Sequence, residues 1–277
     1  MMPRSILHLT GLAAVLLAQS AYACSMPTPD LMFGRTQSQW QEHADSGTTL
    51  LRERGWLDRW GLGLQTDCGA WQAELDLALA QGHRAYQGQS SAGEPVQTTV
   101  ALQSWTSAAQ LWVPWSPSWS AGLRADARAL HRDLASALAA SGPVQGYPER
   151  YTQSALAAGV QYAHDGGSWG HWQWRAWQGH GVSGQSHVEL PGLDPVNLTL
   201  GSMRWWGAQL RWTGCRSSRA QTAGWQCLML LDHQSERMAR GTDTPVYLQG
   251  TARALAHQPA TRQQNTSFSL GASYRFE

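Results

Sequence analysis

The chain ends on a period-two pattern, and that constrains its fold more than any other feature. From Phe268 to Phe276 the residues Phe268, Leu270, Ala272, Tyr274 and Phe276 alternate with Ser269, Gly271, Ser273 and Arg275. Side chains two apart share one face of a strand, so this is a strand with one apolar side. A chain terminus frays unless something ties it down. A terminal strand is held when it pairs on both edges, which a closed sheet provides. The expected class is all-β, a closed antiparallel up-and-down barrel.

The same alternation recurs upstream. Trp71, Ala73, Leu75, Leu77 and Leu79 form one face against Gln72, Glu74 and Asp76. Trp119, Ala121, Leu123, Ala125, Ala127 and Ala129 alternate with Ser120, Gly122, Arg124, Asp126 and Arg128. Val246, Leu248, Ala252 and Ala254 stand against Gln249, Thr251 and Arg253. Tight turns fall at 66–69, 114–118 and 165–168, and longer polar connections at 84–97 and 134–149. Strong runs begin near Leu57, Trp71, Thr98, Trp119, Tyr151, Trp169, Leu200, Trp225, Val246 and Thr266. These ten runs put the long connections on the side of the barrel that carries both termini. Two weaker strands, one within 40–54 and one over 182–190, would move them to the other side. Twelve strands are therefore expected, with ten as the rival.

The first 23 residues have the build of a secretory signal peptide: Arg4, an apolar run from Ile6 to Ala18, and the cleavage site Ala21-Tyr22-Ala23. The expected organisation is a signal peptide over 1–23, a periplasmic lead-in over 24–37 and a barrel over 38–277. Export favours oxidised cysteines, and the four present suit two disulfides, Cys24–Cys68 and Cys215–Cys227. Lipidation of Cys24 is the competing fate. No CxxC pair occurs, so neither a metal nor a cofactor is expected. All 20 basic residues are Arg, and the net charge of +1 gives no reason to expect a nucleic-acid partner.

The segment Ser269, Gly271, Tyr274, Phe276 resembles the C-terminal assembly signal of Gram-negative outer-membrane β-barrel proteins, with Glu277 after the final aromatic as a departure. The resemblance implies export through the periplasm, recognition by the barrel-assembly machinery, and an outer membrane of lipid and lipopolysaccharide as surroundings. A mean hydropathy of −0.38 fits, because a barrel strand shows lipid only every second residue. The 16 Trp against 3 Phe suit interfacial girdles. In that setting the apolar faces point to lipid, and Gln72, Glu74, Asp76, Arg124, Asp126, Arg128 and Arg253 line the lumen. Those charges either pair into a plug or line a narrow polar conduit.

Catalytic templates match poorly. Asp232 and His233 are adjacent, hence on opposite strand faces. His131 and Asp133 share a face, as do His43 and Asp45, and an Asp can orient an imidazole for general-base work. His131 and Asp133 are the weak catalytic candidates. The leading expectation is a barrel without catalysis, either a narrow pore for small polar solutes or a structural surface protein. The alternatives are a barrel enzyme acting on lipid A or surface peptides, and a secreted Trp-rich β-sheet binding protein.

Overall fold

The computed structural model describes residues 24–90, 93–214 and 224–276. Its strands are β1 (Thr28–His43), β2 (Thr49–Asp67), β3 (Gln72–Gln89), β4 (Pro95–Pro114), β5 (Trp119–Leu134), β6 (Ala137–Ala139), β7 (Gly142–Val144), β8 (Pro148–Asp165), β9 (His171–Val188), β10 (Val196–Thr199), β11 (Met203–Gly214), β12 (Gly224–Met238), β13 (Thr244–Leu248), β14 (Thr251–Ala256) and β15 (Ala260–Arg275). Ten of them close an antiparallel barrel in the order β1, β2, β3, β4, β5, β8, β9, β11, β12, β15. The terminal strand β15 sits between β12 and β1, with Leu270 opposite both Met229 and Phe33. β10 adds to the end of β9, while β6–β7 and β13–β14 form separate hairpins.

The expectation of twelve strands is corrected to ten, and the error was in which ten. Residues 28–43 form β1, so the lead-in shortens to 24–27. Val246 belongs to the short hairpin strand β13 rather than to the wall. Residues 182–188 continue β9 instead of forming a strand of their own; a register shift at Ser154/Ala155 interrupts their pairing with β8. Nor is 84–97 a long connection, because β3 runs to Gln89 and β4 starts at Pro95. β1 escaped notice for a physical reason. Its outward face carries Arg35, Gln37, Gln39 and Gln41, and its inward face Thr36, Ser38 and Glu42, so no polarity contrast marks it.

With these ten strands the start of β1, the end of β15 and the connections at 68–71, 115–118 and 166–170 share one end. The connections at 44–48, 90–94, 135–147, 189–202 and 239–259 share the other. The long connections 135–147, 189–202 and 239–259 all lie at this second end, which is the asymmetry of outer-membrane barrels. The outward faces of the half nearer the turns carry exposed Leu31, Phe33, Leu62, Leu64, Leu77, Leu111, Leu123, Val160, Leu231, Phe268 and Leu270. A continuous apolar belt of this kind would drive aggregation in water and is favourable in hydrocarbon.

A disulfide joins Cys24 to Cys68, tying the start of the chain to the β2–β3 turn. The signal peptide expected over 1–23, and Cys215 with its expected bond to Cys227, lie outside the described residues.

Candidate functional site

The barrel interior gathers ionisable groups in two ion-paired tiers with a chamber between them. In the turn-end tier Glu74 of β3 accepts two hydrogen bonds from Arg175 of β9, four strands away around the ring. Gln161 accepts a further bond from Arg175 Nε at 2.7 Å, and the guanidinium lies 5.2 Å from the Trp112 ring. Arg211 of β11 pairs with Asp30 of β1 at 2.7 Å. These side chains are almost wholly buried. An ion pair in this setting survives only when well hydrogen-bonded, and removing one partner leaves a costly uncompensated charge.

The loop-end tier is built around Arg132 of β5. It donates to Glu53 of β2 and Glu149 of β8, sits 3.7 Å from Glu42, and stacks 4.8 Å from the Trp40 ring. Glu53 also takes Arg84 at 3.2 Å, with both side chains fully buried. Tyr151 donates to Glu149 at 2.9 Å, and Trp40 Nε1 to Glu42 at 2.8 Å. Two guanidiniums thus hold three carboxylates.

Between the tiers lies a polar chamber lined by Arg59, Asp76, Arg124, Asp126, Arg128, Asp232 and Glu236, among others. It leaves about 110 Å³ for the centres of water molecules, room for several. Arg124 is clamped by both oxygens of Asp126, and Arg128 reaches across to Glu236 of β12. Gln110 donates to Asp76 at 2.6 Å. Among the described residues, Arg59 and Asp232 face the chamber with no ion pair within 4 Å.

Tryptophan fills the remaining space. Trp112, Trp177 and Trp205 each stand directly opposite a glycine on the neighbouring strand, Gly122, Gly159 and Gly179. A Cβ at any of these glycines would overlap the facing indole, so the glycine is what lets the ring lie against the wall. Four of the 16 Trp (40, 112, 177 and 205) are therefore lumen residues rather than girdle. Others, such as Trp115, Trp119, Trp169 and Trp225 near the turns, are exposed outward.

The structure sorts the sequence-derived candidates. Glu74, Asp76, Arg124, Asp126 and Arg128 face inward, and Gln72 sits at the turn-end mouth, donating to Asp67 at 3.4 Å. Arg253 does not line the lumen. It is exposed on β14, in a hairpin outside the wall whose alternating faces both meet water. His131 and Asp133 point outward from β5, opposite Gln103 and Ala101, and face no cavity. The residue between them, Arg132, is the inward one. Strand parity relative to Arg124 and Arg128 was the available signal for it. Ser269 and Gly271 pack inside against β1, while Tyr274 makes edge-on ring contacts with Trp225 and Phe276. Arg84, Arg175, Arg211, Glu42, Glu53 and Glu149 are further members of the network; their partners lie on other strands, adjacent for Glu53–Arg84 and Arg132–Glu149 and distant for Arg175–Glu74 and Arg211–Asp30, and a period-two pattern within one strand does not reveal them.

No protein-family model and no curated protein matches this chain. Solved structures do. The outer membrane protease OmpT from Escherichia coli superposes with a TM-score of 0.54 at 8% identity, covering 90% of this chain and 96% of that one. The translocator domain of the autotransporter NalP from Neisseria meningitidis gives 0.47 at 10% identity, covering 98% and 97%. The toluene transporter TodX of P. putida gives 0.33 at 8% identity, covering 90% and 89%. The first likeness places this chain in the fold class of outer-membrane β-barrels; at such identity it speaks to fold alone.

Proposed function

We propose that this protein is an integral outer-membrane β-barrel whose lumen is shut by two tiers of buried ion pairs, and that it serves as a structural surface barrel. Exposed apolar residues around the turn-end half supply the lipid-facing belt. The C-terminal strand supplies the signal for the barrel-assembly machinery. The observation that carries the closed state is the pair of chords across the lumen, Arg175 to Glu74 at one level and Arg132 to Glu53 at the other. Each links non-adjacent strands through the lumen where an open pore would hold water.

The hydrated chamber between the tiers supports a second reading, a gated conduit in which release of both tiers joins the chamber to the two sides. Planar-bilayer conductance tests the two together. The parent protein is expected to show no steady current, and the double variant Arg132→Ala/Arg175→Ala to conduct. Steady conductance by the parent would sink the closed-barrel reading, and brief openings would favour the conduit. Heat-modifiable migration and recovery in the outer-membrane fraction test the location.

A further inference from the structure

We propose that one side of the outer wall, formed by β11, β12, β15, β1 and β2, binds a phosphorylated glycolipid of the surrounding leaflet, with its acyl chains in an apolar groove and its anionic head on a row of arginines. This rests on reading the chain as an outer-membrane barrel.

The row follows from register. Arg204 of β11 lies directly opposite Arg237 of β12, which lies directly opposite Arg262 of β15. The next positions are Gln41 of β1 and Arg52 of β2, and His180 of β9 flanks the other side. All of these have outward parity; Arg204, Arg237 and Arg52 are exposed and Arg262 is half-buried. Facing residues on adjacent strands are near neighbours, and like charges there destabilise a sheet. Three guanidiniums in consecutive register positions are therefore a cost that the fold carries unless an anion offsets it.

The protein does not supply that anion. Among the described residues no carboxylate lies within 4 Å of Arg204, Arg237 or Arg262. On these five strands the carboxylate facing outward is Asp58, and Arg35 holds it at 3.3 Å. The nearby loop acids Asp45 and Asp243 are taken by Arg240.

The apolar half of the site lies on the same strands, toward the turns. A groove runs over Phe33, Trp56, Leu231, Phe268 and Leu270, with Arg35 at its rim, 5.7 Å from the Trp56 ring. Anion sites above an acyl-sized groove are complementary to an amphiphile with phosphates on its head, and guanidinium forks bind phosphate with two hydrogen bonds each. The row of cations ends at β2: the next register positions, on β3 and β4, are Gln87 and Gln97.

The test uses the full processed barrel in detergent, with bisphosphorylated lipid A as probe and native mass spectrometry as readout. The parent is expected to retain lipid A. Arg237→Gln/Arg262→Gln should weaken binding by about tenfold or more, and dephosphorylated lipid A should show a comparable loss. Arg150→Gln, which removes a guanidinium on β8 outside the row, should leave binding unaltered. Heat-modifiable migration confirms that each variant is folded, and the double variant without lipid should be at least as stable as the parent. Equal retention by parent and double variant overturns the proposal. So does displacement of lipid A by an equal concentration of sodium phosphate, which would assign the row to free anions. Micelle binding does not depend on cellular address, so failure to fractionate with the outer membrane would overturn the proposed location and leave this result readable.

Discussion

The two halves of the barrel wall are built on the same continuous strands yet present opposite outer faces. Toward the turns β2 shows Leu62 and Leu64 and β15 shows Phe268 and Leu270; toward the loops the same strands show Arg52, Arg54, Arg262 and Gln264. The inner faces do not change in this way. Both halves carry buried Arg–Glu chords and Trp rings. The outer face is chosen by the solvent at each height, whereas the inner face is chosen by the need to fill a closed ring with satisfied polar groups.

Inner-face changes should accordingly be insensitive to height. Glu53→Gln in the loop-end tier and Glu74→Gln in the turn-end tier are each expected to cost about 3–5 kcal/mol, by leaving a buried guanidinium without its countercharge. Reversible urea unfolding into lipid vesicles measures both. A large cost at one tier and none at the other would break the symmetry. Outer-face changes should depend on height. Leu123→Arg, in the belt, is expected to cost about 2–4 kcal/mol, and Gln97→Arg, near the loops, about 0–1 kcal/mol. Equal penalties would mean that lipid does not distinguish the halves.

The smallest expected effect is at the loops. Glu94, half-buried in the β3–β4 connection, accepts hydrogen bonds from the Ser141 hydroxyl and backbone N–H, which hold its carboxyl below the usual range. A depressed carboxyl contributes stability that is present above its unfolded value and lost as pH falls through the folded one. Amide protection in the β6–β7 hairpin, relative to the intrinsic exchange rate at each pH, should therefore fall on acidification below about pH 4, and Glu94→Gln should remove that dependence.

What could be read in advance follows the same division. Where lipid and lumen lie on opposite sides of a strand, as at 71–79 and 119–129, contrast between alternate residues marks the strand and its orientation. Where water lies outside and a polar lumen inside, as in β1 beyond Arg35, the contrast vanishes and the strand was taken for lead-in. Trp showed a third case. Composition placed all of them in girdles, but Trp112 shares parity with Gln110, not with Leu111 and Val113, which marks it as internal.

By itself the sequence determined an all-β chain with a terminal closing strand, one apolar face and a set of inward charges on β3 and β5, because period-two alternation is a local property. Tertiary structure alone decided that ten strands close the ring, that Arg132 and Arg175 span it, and that Arg204, Arg237 and Arg262 stand side by side. Those relations join residues as far apart as Ser38 of β1 and Asn265 of β15, 227 positions away, and only sheet register and ring closure bring such residues to one place.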